Sequence, residues 1–167
     1  MDNVYLVGFM GSGKTTVGKI LAEKINKAFV EMDEIIEADE GKPITDIFAQ
    51  EGEERFRRLE SKLLRDLSVR KDLVVSCGGG LICNDENLRI LKDTGKVFFL
   101  RASAMVVYNR TKQHAHRPLL NVDNPLGAIE ELLKKRNSFY AQAHYTIDTD
   151  NISADEVVDN IIEILNK

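Results

Sequence analysis

Eight consecutive residues, Gly8-Phe9-Met10-Gly11-Ser12-Gly13-Lys14-Thr15, constrain this chain more than any other stretch. They satisfy the spacing G-x-x-x-x-G-K-[ST] in full. Before them lies a short apolar run, Val4–Gly8; after them Val17, Ile20, Leu21 and Ile25 fall on one helical face. A strand, a glycine-rich turn and an amphipathic helix in that order make an anion cradle. The glycines let backbone N–H groups converge on phosphate oxygens, and the start of the helix adds partial positive charge. Lys14 is expected to reach the β- and γ-phosphates of a nucleoside triphosphate, and the Thr15 hydroxyl to hold Mg2+. Gly11, Ser12, Gly13 and Thr16 complete the expected nucleotide contacts.

The rest of the chain repeats the same alternation. Short segments at Ala28–Met32, Leu73–Cys77, Val97–Leu100 and Tyr145–Asp148 read as further strands. Leu73–Cys77 is apolar at every position but Ser76, as a strand buried on both faces should be. Helical patterns lie between them, near Asp33–Ala38 and Thr45–Ala49, at Glu53–Val69 with Phe56, Leu59, Leu63 and Leu67 in register, and at Ala102–Arg110. Asn124-Pro125 marks a helix start running to Tyr140, and Ser153 with Glu156 a capping box for a last helix. Five strands alternating with helices predict an α/β fold of three layers: a five-stranded parallel sheet with helices on both faces. At 167 residues the chain suits one domain, with residues 33–60 and 110–122 as candidate flap and lid.

Composition closes off other classes. A net charge of -4 argues against a nucleic-acid binder, and no apolar run approaches the ~20 residues of a membrane span. The chain enters a strand almost at once, without a signal-peptide pattern. Cys77 and Cys83 are expected to be reduced thiols of a cytoplasmic protein, since two cysteines build no disulfide framework. Charge is nevertheless uneven. From Ala102 to Val122 there is no Asp or Glu, while Arg110, Lys112, His114, His116 and Arg117 cluster there. A solvated loop is one reading; a basic lid that closes over a triphosphate, with Arg117 on the transferring group, is the other.

Three further features bear on chemistry. Asp33 lies at the carboxyl end of the second predicted strand, the edge that faces ligand crevices in open α/β sheets. It either caps the next helix or orients a substrate hydroxyl. Arg57 is either a helical ion-pair partner of Glu53 and Glu60 or a bidentate clamp on a carboxylate. Gly78-Gly79-Gly80 follows a buried strand, so the chain turns sharply there or a ligand approaches its backbone. The carboxylate that commonly follows such a strand is missing, because Ser76 and Cys77 stand in its place.

Taken together these residues resemble the shikimate kinase family. The match is ordered along the chain: GFMGSGKTT at Gly8–Thr16, Asp33, GEERFRRLE at Gly52–Glu60, the Gly78–Gly80 triplet, RPLL at Arg117–Leu120, Arg136 with Tyr140, and IDTD at Ile147–Asp150. The resemblance implies ATP-dependent phosphorylation of the 3-hydroxyl of shikimate, on a nucleoside monophosphate kinase fold with flap and lid. It implies that Asp33 orients the attacking hydroxyl and that Arg57 and Arg136 clamp the carboxylate. Gly78, Gly79 and Gly80 would lie against the substrate, with Arg110 on the nucleotide and Arg117 in the lid. It leans toward a monomer. Three departures stand out: Glu31 replaces the first acid of the D-x-D that many members carry, the one often linked to Mg2+ through water; Ser138 replaces the usual proline between Arg136 and Tyr140; and Asn151-Ile152-Ser153 match the family's adenine loop poorly. Two rivals remain: a kinase of the same fold for another small acid such as gluconate, and a nucleotide-dependent regulatory module without transfer activity.

Overall fold

A four-residue strand whose every side chain is buried needs cover on both faces, and Leu73–Ser76 is such a strand. The computed structural model describes residues 2–112 and 122–167. The elements follow as β1 (Asn3–Val7), α1 (Lys14–Lys24), β2 (Ala28–Glu31), α2 (Met32–Glu40), α3 (Ile44–Glu51), α4 (Glu53–Ser68), β3 (Leu73–Ser76), α5 (Asp85–Thr94), β4 (Gly95–Arg101), α6 (Ala104–Thr111), α7 (Pro125–Tyr140), β5 (Tyr145–Asp148) and α8 (Ala154–Leu165). The strands form one sheet in the order β2-β3-β1-β4-β5. Every pairing is parallel, with Tyr5 opposite Val75 on one side and Val97 on the other.

Alternate residues of each strand go to opposite faces, as the pleat requires. Tyr5, Val7, Val75, Val97 and Phe99 meet Leu64 and Leu67 of α4, Leu91 of α5 and Tyr140 of α7. Val4, Leu6, Val74, Phe98 and Leu100 meet Val17 and Leu21 of α1 and Val157, Val158 and Ile161 of α8. Each fully buried aliphatic side chain contributes roughly 1.5–3 kcal/mol, so these two apolar layers are the main hold on the sheet. A smaller cluster of Ile36, Ile47 and Phe56 binds α2 and α3 to α4. Arg55 of α4 adds ion pairs to Glu40 of α2 at 3.7 Å and to Glu51 of α3 at 3.6 Å.

The expected caps form. Asn124 accepts from the Gly127 amide at 3.2 Å, and Ser153 from the Glu156 amide at 3.1 Å. α5 has no counterpart among the expected helices, although Asn84 caps it at the Asn87 amide, 3.0 Å away, and Leu88 and Leu91 carry its buried face. β2 also ends one residue earlier than expected, because Met32 already belongs to α2. Among the described residues no helix is long and apolar enough to cross a membrane.

Parallel pairing sends the carboxyl ends of β1, β2 and β3 to one rim. Since β3 lies between β2 and β1, the glycines after β3 sit between the loop after β1 and the turn at Asp33.

Gly95 opens β4 against β1. A Cβ there would overlap the Asn3 carbonyl oxygen and stand 2.7 Å from Tyr5 Cε2. A paired backbone carbonyl has nowhere to move, so Gly95→Ala is expected to cost about 1–3 kcal/mol through overpacking. A lowered urea midpoint with unchanged slope would register it.

Candidate active site

The loop after β1 holds its shape through glycine. Gly11 and Gly13 have φ of 78° and 96°, in the left-handed region that a Cβ disfavours. The Ser12 amide closes a turn onto Phe9 O at 3.1 Å. Gly13 offers no side chain to cap α1, which leaves its first amides to an anion. Lys14 is 9% exposed, and its ammonium donates to Gly8 O at 2.8 Å and Phe9 O at 2.9 Å. Arg110, from α6, donates to Gly11 O at 3.0 Å. Ser12 is buried and does not line the cavity beside it; its neighbours Gly11, Gly13, Lys14, Thr15 and Thr16 do.

The carboxylate absent after β3 is supplied from β2. Thr15 Oγ1 donates to Glu31 Oε2 at 2.7 Å. Glu31 is also the N-cap of α2, its other oxygen accepting from the Asp33 amide at 3.4 Å. The capping role that the sequence left open for Asp33 is therefore Glu31's, and Asp33 lies in the first helical turn, lining the cavity. A hydroxyl and a carboxylate side by side are oxygen donors that suit Mg2+. Among the described residues no three His, Cys, Asp or Glu side chains gather as a metal cage.

The far end of the same cavity, whose volume is about 430 Å3, is lined by Arg57, Glu60, Gly78–Gly80 and Arg136. Arg57 fulfils its local reading, pairing with Glu53 at 3.2 Å and Glu60 at 2.6 Å. Its guanidinium also lies over the Phe56 ring and against Gly80. Burial pulls the pKa of Arg57 down, but Glu60 and Glu53 outweigh it, so the net shift is upward and Arg57 stays charged. Arg136 is 7% exposed and lies over the Phe9 ring, with a buried Nη1 that has no hydrogen-bond partner among the described residues. A buried guanidinium nitrogen with no acceptor is a place for an incoming oxygen anion.

The three glycines are explained by space rather than by backbone conformation, since none has a positive φ. A Cβ on Gly78 would overlap Glu60 Oε2, one on Gly79 would stand 3.2 Å from Arg136 Nη1, and one on Gly80 would stand 2.6 Å from Arg57 Nη1. Tyr140 then anchors the turn by donating to Gly79 O at 2.5 Å. Sequence reasoning named Glu60 only as an ion-pair partner and Tyr140 only within a motif. The i, i+3 spacing from Arg57 was the available signal for Glu60, but it carries no information on burial. Cys77 and Cys83 are free thiols, and burial pushes both pKa values up. Arg117, His114 and His116 lie outside the described residues, as does most of the candidate lid.

An anion loop after the central strand, opening into an arginine-lined hollow on a parallel sheet, gives the architecture of a P-loop phosphotransferase. A sequence profile described as shikimate kinase matches residues 10–166. The shikimate kinases of Thermodesulfovibrio yellowstonii and Persephonella marina are 45% and 46% identical, covering 98% and 97% of this chain and 94% and 98% of their own length. A solved structure, the shikimate kinase from Acinetobacter baumannii in complex with shikimate, superposes with a TM-score of 0.96 at 41% identity, covering 99% of this chain and 93% of that one. This chain belongs to the shikimate kinase family.

Gly80→Ala would drive its methyl into the Arg57 guanidinium. We expect the KM for the small acid to rise at least about tenfold, the equivalent of one charge-assisted hydrogen bond, with nucleotide KM nearly constant. Steady-state kinetics with each substrate varied in turn checks this.

Proposed function

We propose that this chain transfers the γ-phosphoryl group of ATP to the 3-hydroxyl of shikimate, giving shikimate 3-phosphate and ADP, with its own residues in the following roles. The observation that carries the reading is one cavity with the phosphate loop at one end and two arginines at the other. Phosphoryl transfer asks the protein mainly for positioning and charge neutralisation. The α1 amides and Lys14 hold the triphosphate, and Arg110 supports the loop from α6. Thr15 and Glu31 would hold Mg2+, which neutralises phosphate charge when bound. Arg57 and Arg136 clamp the substrate carboxylate, as planar forks suited to two oxygens. The Gly78–Gly80 turn keeps the backbone low enough for them to do so. Asp33 accepts a hydrogen bond from the attacking hydroxyl and aims it at the phosphoryl group.

Residues 33–60 serve as flap and residues 110–122 as lid, with Arg117 reaching the transferring group as the lid closes. The working unit is a monomer. ATP as co-substrate and the free thiols suit the cytoplasm. A gluconate kinase is disfavoured by family membership, and a silent regulatory module has no use for Asp33 opposite the phosphate loop.

A coupled assay with ATP, Mg2+ and either shikimate or gluconate decides among these. Turnover with shikimate is expected; turnover with gluconate alone would end the assignment. Arg57→Ala should raise the shikimate KM about 10–100-fold by losing a charge-assisted contact, leaving ATP binding nearly intact. Asp33→Asn should lower kcat about 100-fold or more with the fold unchanged, as loss of an orienting base does. Near-wild-type turnover would reduce Asp33 to a structural residue.

A further inference from the structure

The roles above leave without a task the one acidic side chain of the cavity lining that is buried. Glu60 follows Arg57 by one turn of α4, is 1% exposed, and accepts from Arg57 Nη1 at 2.6 Å. Its second oxygen is buried against Gly78 and has no hydrogen-bond partner among the described residues. An ionised carboxylate with one oxygen bonded and the other bare is expensive out of water, and a neutral carboxyl in the same place costs much less.

The ionisable groups that act on Glu60 come from several elements. Arg57 shares its helix, Asp33 reaches it from α2, and Arg136 from α7. The thiols of Cys77 and Cys83, in the segment after β3, feel its charge. Two of these groups are cations, and both are the ones assigned to the substrate carboxylate. Glu60 and the substrate therefore compete for the same positive charge.

Resting on the substrate assigned above, we propose that Glu60 is the proton-exchanging partner of substrate binding: as the incoming carboxylate takes the Arg57 and Arg136 guanidiniums, Glu60 takes up a proton from solvent. The direction follows from charge. A second carboxylate beside the two guanidiniums weakens their hold on Glu60 and repels its negative charge, and both effects favour the neutral acid. Burial, working against the pull of Arg57, already pushes Glu60 up to about 7. The new anion raises it further. At acidic pH Glu60 is neutral before and after binding and no proton moves. Above neutrality it starts charged, binding must protonate it, and affinity falls as pH rises. Glu60 is thus a positioning residue for Arg57 whose protonation lets the substrate share the clamp without adding a net negative charge to a buried site.

Titration calorimetry of shikimate binding, in buffers of different ionisation enthalpy, counts the protons directly. For the wild-type chain the expected uptake approaches about one proton near pH 8 and is close to zero near pH 6, with Kd rising by up to about tenfold per pH unit above neutrality. Glu60→Gln, which keeps length and an acceptor for Arg57, should abolish the uptake and flatten the pH profile of Kd, while MgATP affinity stays unchanged. Shikimate binding at pH 8 without proton exchange, or uptake that persists in the Gln variant, would overturn the proposal. The wild-type count decides even if the variant folds poorly. Absence of shikimate binding in the wild type at every pH would instead overturn the substrate assignment beneath it.

Discussion

Parallel pairing of β1 with β3 on one side and β4 on the other brings separate loop starts to a single rim, and the site is assembled from those starts. The sheet pays no attention to chemistry. Its order follows from apolar strands that must be covered on both faces, by α4, α5 and α7 on one side and by α1 and α8 on the other. Placing β3 between β1 and β2 has a chemical consequence all the same. The phosphate loop, the triple glycine and Asp33 become neighbours although they are far apart in the chain.

Within that rim the cavity is organised by charge. Its phosphate end combines uncapped amides with Lys14, and its other end combines Arg57 with the buried Arg136. Between them stand carboxylates with distinct environments. Glu31 is tied to the Thr15 hydroxyl, Asp33 opens α2, and Glu60 is sealed behind Arg57 and Gly78. Such a gradient of exposure separates roles among chemically similar groups. The Glu31 side chain spans two partners at once, the Thr15 hydroxyl and the Asp33 amide.

Much of this was legible in the sequence for a definite reason. The phosphate loop, the strand runs, the Asn124-Pro125 start and the Ser153 cap are local, each encoded within a few residues by spacing and backbone preference. α5 was legible by the same rules and was passed over. The balance at Arg57 was not legible. Its ion pairs with Glu53 and Glu60 and its place in the cavity are compatible, so a choice between them was a false one. The triple glycine likewise reads as a turn or a ligand contact, yet the crowding comes from the protein's own Glu60 and Arg57.

By itself, then, the sequence determined the anion cradle, the alternation of strands and helices and the membership of a kinase family, because those depend on near neighbours and on ordered motifs. Tertiary structure alone decided that Arg136 is buried over Phe9, that Tyr140 anchors Gly79, and that Glu60 is cut off from water. Burial is a property of what surrounds a side chain in space. Most of what surrounds these three comes from elsewhere in the chain, so the solvation that sets their charge exists only once the sheet and its helices have closed around them.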